Sequence, residues 1–172
     1  MKPLIHVTVK PAMSDQYEYS YEMLPAGAEQ AAADLVENIF LLQVAPHFSK
    51  QGVSEFLSYV SPQAIGKRLA ENNFMLAAFG PQGLAGILEA DSARGHIVWF
   101  FVRPGDQGRG VGRELLDRGL AELKRRKPDL ARVTVNSSPN SVDTYLSLGF
   151  VPADLQQEHN GIRFTPMELL FG

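Results

Sequence analysis

The sequence predicts a mixed α/β (α+β) fold, and three observations carry that expectation. Tyr17, Tyr19, Tyr21 and Met23 alternate with Glu18, Ser20 and Glu22, the period of two expected of a strand with one wet face. Ile97-Val98-Trp99-Phe100-Phe101-Val102 is an unbroken run of β-branched and aromatic residues, suited to a central strand covered on both faces. Beyond it, Val111, Leu115, Leu116, Leu120 and Leu123 fall on one side of a helix that Pro128 stops. The 172 residues match the size of one domain, and 1–172 is read as a single unit.

The remaining elements follow in order. Leu4 to Val9 reads as a short strand, an extra N-terminal strand within 1–16. Pro25-Ala26-Gly27 breaks the chain after the tyrosine strand. Ala28 to Val44 then reads as one helix, with Ala32, Leu35, Ile39 and Leu42 at helical spacing and Pro46 closing it. Ser54 to Tyr59 and Ser61 to Leu69 are further helical pieces; Pro62 suits a first helical position because it lacks no needed donor there. Asn73 to Phe79 and Leu84 to Asp91 flank Gly80-Pro81-Gln82-Gly83 as a hairpin. Arg132 to Val135 is a second β-rich run, and Ser141 to Leu148 a short helix ended by Gly149. Phe150 to Pro152 and Ile162 to Phe171 read as the closing strands.

Composition excludes whole classes of chemistry. The chain has no cysteine, which removes disulfides, thiolate zinc sites and a covalent cysteine intermediate. His6, His47, His96 and His159 are scattered without metal-ligand spacing, so no metal is expected; His6, His47 and His159 read as surface or cap residues. No apolar run approaches the roughly 18 residues of a membrane span, and the start lacks the pattern of a signal peptide. A cytoplasmic protein is the expectation. Net charge is −3, but nine of the sixteen basic residues and five of the nineteen acids lie between Arg103 and Arg132. That leaves the segment at +4 and the rest at −7. A basic segment on an acidic body points to a local anion site, not a nucleic-acid surface. Lys124-Arg125-Arg126-Lys127 reads as a solvated helix end, where cations suit the negative pole of the dipole.

Gly108, Gly110 and Gly112 stand where a strand ends and a helix begins. Helix starts leave backbone amides unpaired, and glycine lets the backbone approach an anion closely. Together they make a pyrophosphate cradle, with Arg109 and Arg113 adding positive charge. A Walker loop needs Lys and then Ser or Thr after its last glycine, and Gly112-Arg113-Glu114 departs from that. A dinucleotide fingerprint needs glycine where Arg113 stands and an acid where Asn136 stands.

Gln107-Gly108-Arg109-Gly110-Val111-Gly112 resembles the acyl-CoA loop of the GNAT superfamily of N-acetyltransferases, Gln/Arg-x-x-Gly-x-Gly/Ala. Asn136-Ser137-Ser138-Pro139 followed by Tyr145-Leu146-Ser147-Leu148-Gly149-Phe150 resembles the family's next motif, and the match is specific over residues 96 to 150. The resemblance implies a GNAT-type, mostly antiparallel central sheet flanked by helices, with two central strands splayed around a pantetheine arm. It implies acetyl-CoA as cosubstrate and direct attack by a primary amine of a small molecule or protein. The cofactor contacts it implies are the backbone of Phe100, Phe101 and Val102, the loop Gln107, Gly108, Arg109, Gly110, Val111, Gly112 and Arg113, and Asn136, Ser138 and Tyr145. Tyr145 matches the family's general acid. For the base, His96 stands where some members carry glutamate, and Glu89 on the preceding strand is the other candidate. A non-catalytic acyl-CoA-binding regulatory module on the same fold is the competing reading. The −7 outside the basic segment favours a cationic acceptor such as a polyamine, an aminoglycoside or a lysine. Leu4 to Val9 and the last strand are candidate homodimer edges.

Overall fold

Proline and glycine set most of the element ends. The computed structural model describes residues 18–172, so the strand expected at Leu4–Val9, the residues His6 and Tyr17, and the first dimer edge lie outside the described residues. Strand β1 spans Ser20–Met23 and helix α1 Glu29–Ile39. Helices α2 (Lys50–Ser58) and α3 (Pro62–Ala70) each start on a serine cap, whose hydroxyl accepts from Gly52 N and from Ala64 N at 3.1 Å. Strands β2 (Asn73–Gly80), β3 (Gly83–Asp91) and β4 (His96–Val102) follow as a meander. Helix α4 (Val111–Arg126), strand β5 (Arg132–Ser137) and helix α5 (Val142–Ser147) lead to β6 (Val151–Pro152), β7 (Gln157–His159) and β8 (Ile162–Leu170).

Two elements differ from the sequence reading, and the last strand, read as a candidate dimer edge, is no edge: β8 pairs with β5 on one side and with β6 and β7 on the other. The helix expected to run to Val44 stays α-helical only to Ile39, then widens into a π-helical turn over Phe40–Val44. Pro46 explains the change: its ring crowds the preceding turn and it has no amide to donate, so the Ala45 amide bonds back to Phe40 O instead. The short strand β7 was not anticipated; it pairs with β8 through a turn in which Asn160 and Gly161 take positive φ.

The strand order is β1-β2-β3-β4-β5-β8-β6, with β7 also on β8. Every pairing is antiparallel except β4 with β5. That parallel pair holds only at His96↔Thr134 and Ile97↔Val135, and beyond it the strands part. Trp99 to Val102 on β4 therefore have no partner on β5, while β3 and β8 keep the outer edges paired. The sheet opens as a wedge in its middle.

Alternation along the strands sends side chains into two cores. Leu76, Ala78, Leu88 and Ala90 pack with Leu115, Leu116 and Leu123 of α4. Met75, Ile87 and Trp99 pack on the other face with Ala32 and Val36 of α1 and Ile65 of α3. On that second face, α2 meets the β7–β8 turn backbone to backbone. A Cβ on Gly52 would lie 2.1 Å from Gly161 O, and Ser49 N and Oγ both donate to that carbonyl, at 3.4 and 3.3 Å. Asn160 adds a bond to Glu55 Oε1 at 3.3 Å.

Candidate active site

The anion loop is built from the end of β4 outward. A 3₁₀ turn over Pro104–Asp106 buries Asp106, which accepts from Arg103 Nε at 2.6 Å and from Tyr19 OH at 2.7 Å. Burial pushes the Asp106 carboxyl up; the bonds from Arg103 and Tyr19 and the charges of Arg103 and Arg109 outweigh it and hold the pKa below its ordinary value. Gln107 donates from Nε2 to Val102 O at 2.9 Å, tying the loop to the strand. Gly108 and Gly110 have φ of 73° and 83°, the left-handed region that favours glycine. The first intrahelical bond of α4 runs from Glu114 N to Gly110 O, so the amides of Val111, Gly112 and Arg113 precede it. At Gly112 a Cβ would meet Phe100 Cζ at 3.4 Å, so the helix start lies close against β4.

A cavity of about 750 Å³ occupies the wedge. Phe100 and Tyr145 reach it from the α4 face, with Val135, Asn136, Ser138 and Ser141 alongside. Trp99 and Phe101 reach it from the opposite face. The cavity thus passes through the sheet. Tyr145 is buried, between Phe100 (ring centroids 6.2 Å apart) and Phe150 (5.4 Å). Burial pushes its pKa up, which keeps the phenol protonated across the neutral range. Its hydroxyl makes no hydrogen bond to another described residue.

The family model for the acetyltransferase (GNAT) domain matches residues 44–171. The chain belongs to the GNAT acetyltransferase family. It is an acyltransferase. The chain superposes on a GCN5-related N-acetyltransferase from Rhodopseudomonas palustris with a TM-score of 0.72 at 18% identity, covering 88% of this chain and 95% of that one. PaiA N-acetyltransferase from Thermoplasma acidophilum, solved with coenzyme A, gives a TM-score of 0.75 at 14% identity over 90% and 99% of the chains. The ribosomal-protein-S18-alanine N-acetyltransferase from Escherichia coli gives 0.62 at 18% identity over 89% and 94%. These likenesses show the fold, including the mostly antiparallel sheet. No curated protein matches the chain.

In this GNAT acetyltransferase the two candidate bases stand in different surroundings. Glu89 is fully buried on β3. Its carboxylate accepts from Arg68 Nε at 2.7 Å and Nη2 at 3.1 Å, and from Asn73 Nδ2 at 2.6 Å. Arg68 also donates to Tyr59 O at 3.0 Å and lies over the Trp99 ring, 4.5 Å from its centroid. Arg68 lines the cavity, and behind it the Glu89 carboxylate is held in a buried ion pair. His96 does line the cavity, at the start of β4, with Nδ1 2.9 Å from Thr134 Oγ1. Burial, then the nearby Arg94 charge, lowers its pKa to about 4 against a weaker opposing pull from Asp91.

That shift has a stability consequence. The folded pKa lies below the unfolded value near 6.5, so the unfolded chain binds the proton more readily between those limits. The contribution is whole above about pH 6.5 and lost as pH falls to about 4. Thermal melts of the wild type across that window should lose up to about 3 kcal/mol from this group, and His96→Gln should flatten the slope.

Sequence reasoning missed most of the cavity wall. Phe48, Phe56, Tyr59, Arg68 and Phe164 carry no motif and come together only through folding. Trp99, read as core, is buried and also faces the cavity. His159, read as a surface residue, is exposed and stands at its edge; exposed His47 lines a separate cleft. The basic run behaves as a helix end. Lys124 bonds Pro128 O and Leu130 O, Arg125 and Arg126 bond Glu122, and Lys127 bonds Ala93 O. Among the described residues no group of three or more His, Asp or Glu is placed to hold a metal, and no helix is long and apolar enough to cross a membrane.

Proposed function

We propose that this protein transfers an acetyl group from acetyl-CoA to a primary amine by direct attack. The observation that carries the reading is the cavity through the sheet, with unpaired β4 backbone and a buried tyrosine on one face and an aromatic chamber on the other. The residues present fit acetyl-CoA. The loop Gln107–Arg113 supplies helix-start amides and two left-handed glycines for the diphosphate, with Arg109 and Arg113 beside them. The backbone of Phe100, Phe101 and Val102, with Asn136 and Ser138, would flank the pantetheine arm. Bound there, acetyl-CoA supplies an electrophilic thioester carbonyl with a thiolate leaving group.

The amine nitrogen forms the C–N bond as the C–S bond breaks, and its excess proton must leave. His96 is a poor match for that proton: an alkylammonium near pKa 10 lies roughly six units above an imidazole at about 4, a gap of about 8 kcal/mol. In this reading His96 stays neutral and hydrogen-bonds the amine or a water that carries the proton out. Tyr145 donates its O–H toward the sulfur as negative charge develops there. The products are an acetamide and the CoA thiol. The structurally similar spermidine, ribosomal-protein-S18-alanine and aminoglycoside acetyltransferases take different amines, which supports the reaction class and leaves the acceptor to this chain's own chamber.

Thermal shifts with acetyl-CoA, ATP and NAD, followed by thiol release with pooled amines, test the reading. Acetyl-CoA at 100 times its Kd should add about 2.7 kcal/mol, a rise of several degrees, whereas ATP and NAD should add little. A side chain at φ 83° costs about 1–2 kcal/mol, so Gly110→Ala should weaken that shift. Binding of CoA without thiol release for any amine would instead support the regulatory module.

A further inference from the structure

The chamber on the α1–α3 face has a composition that narrows the acceptor. Its walls are aromatic: Phe48, Phe56, Tyr59, Trp99, Phe101 and Phe164 all line the cavity. Phe56 lies 6.1 Å from Trp99 and edge-on to Phe101 at 6.4 Å, and it stacks on Phe40 at 3.8 Å, so the wall is continuous and backed by core. Two of its cations are paired in place. The Arg68 charge is met by Glu89, and Arg163 pairs with Glu158 at 3.1 Å. The Trp99 face, the best seat for a cation, is already taken by Arg68. Two carboxylates line the cavity: Asp91 stands with Arg94 near His96 and accepts from the amides of Ala93 and Arg94, and exposed Glu71 forms no ion pair with another described residue.

One side of this chamber is shut. Gly52 and Gly161 bring α2 and the β7–β8 turn into backbone contact, and both elements contribute wall residues. A lysine on a folded protein would have to bring its own surface past that roof. A polyamine could reach only Glu71 and Asp91 among the carboxylates that line the cavity, and a second ammonium held among the aromatic walls would be an unpaired buried charge, which is costly. An aromatic or apolar body fills such walls favourably.

We propose that the acceptor is a small primary amine on an aromatic or apolar body, admitted past the Glu71 and Asp91 rim. This rests on the acetyltransferase reading above and narrows the expectation from net charge, which favoured cationic acceptors.

Trp99 is the chain's single tryptophan and reports on the chamber directly. The full-length protein, saturated with CoA, is titrated with 2-phenylethylamine and with spermidine while Trp99 fluorescence is followed. Thiol release from acetyl-CoA is then measured with both amines and with lysozyme as a folded lysine donor. Saturable perturbation by 2-phenylethylamine, with kcat/KM at least about tenfold above spermidine and lysozyme, is the expected result. Better turnover of spermidine or lysozyme overturns the acceptor class and leaves the transferase reading standing. Saturable 2-phenylethylamine binding without turnover of any amine keeps the chamber's preference and overturns the transferase reading. The absence of both perturbation and turnover with 2-phenylethylamine overturns the proposal.

Discussion

Tyr145→Phe should lower kcat by roughly 10²-fold while leaving the KM for acetyl-CoA and the melting temperature close to wild type. The ring packs between Phe100 and Phe150, and phenylalanine keeps both contacts. Only the hydroxyl is lost, and it makes no hydrogen bond to another described residue, so no protein acceptor is orphaned. The expected loss belongs to the bond-breaking step. Burial raises the phenol pKa above that of the departing thiol, so complete transfer of its proton is uphill in the ground state. Its contribution is therefore a hydrogen bond that strengthens as charge gathers on sulfur. Steady-state kinetics with acetyl-CoA and a turned-over amine, beside calorimetry, checks this. Unchanged turnover removes Tyr145 from the chemistry.

Glu89→Ala should destabilise the fold by about 3–5 kcal/mol, because it strands the Arg68 guanidinium against Trp99 without its partner. For a chain of this size that is a fall of roughly 10 °C in melting temperature. Asn73 loses its acceptor as well. The double variant Arg68→Met/Glu89→Gln removes both charges and should recover most of the loss, a strongly non-additive result. The same experiment tests the carboxylate as base. A Glu89→Ala protein that melts like wild type but has lost turnover would favour Glu89 as the base.

These two residues also mark how far the sequence was legible. The loop before α4 and the short helix carrying Tyr145 could be read locally. Gly108 and Gly110 have a reason to be glycine within a single turn, and the strands on either side announce themselves by run length and alternation. The β2–β3 hairpin was legible for the same reason. Glu89 could be seen as a carboxylate on a central strand, but nothing near it in the chain shows that Arg68, 21 residues earlier, reaches across to it. Contacts of that kind are set by packing of α3 on the sheet. The Gly52–Gly161 contact is more distant still, and each glycine alone reads as a helix weak point or a turn. Pro46 was seen as a helix stop, yet its widening of the preceding turn depends on the backbone path and not on residue type. The aromatic chamber escaped notice because its side chains come from four separate segments: the turn before α2, α2 with its C-cap, β4 and β8.

The gap between β4 and β5 has a kinetic corollary. In the proposed reaction the opening through the sheet gives each reactant its own doorway: the thioester would arrive from the α4 side and the nucleophile from the side of the three N-terminal helices. Neither must vacate before the other can load. Under that reaction, traffic through two portals predicts a sequential mechanism without obligatory order, in which either product can depart while the other is still seated.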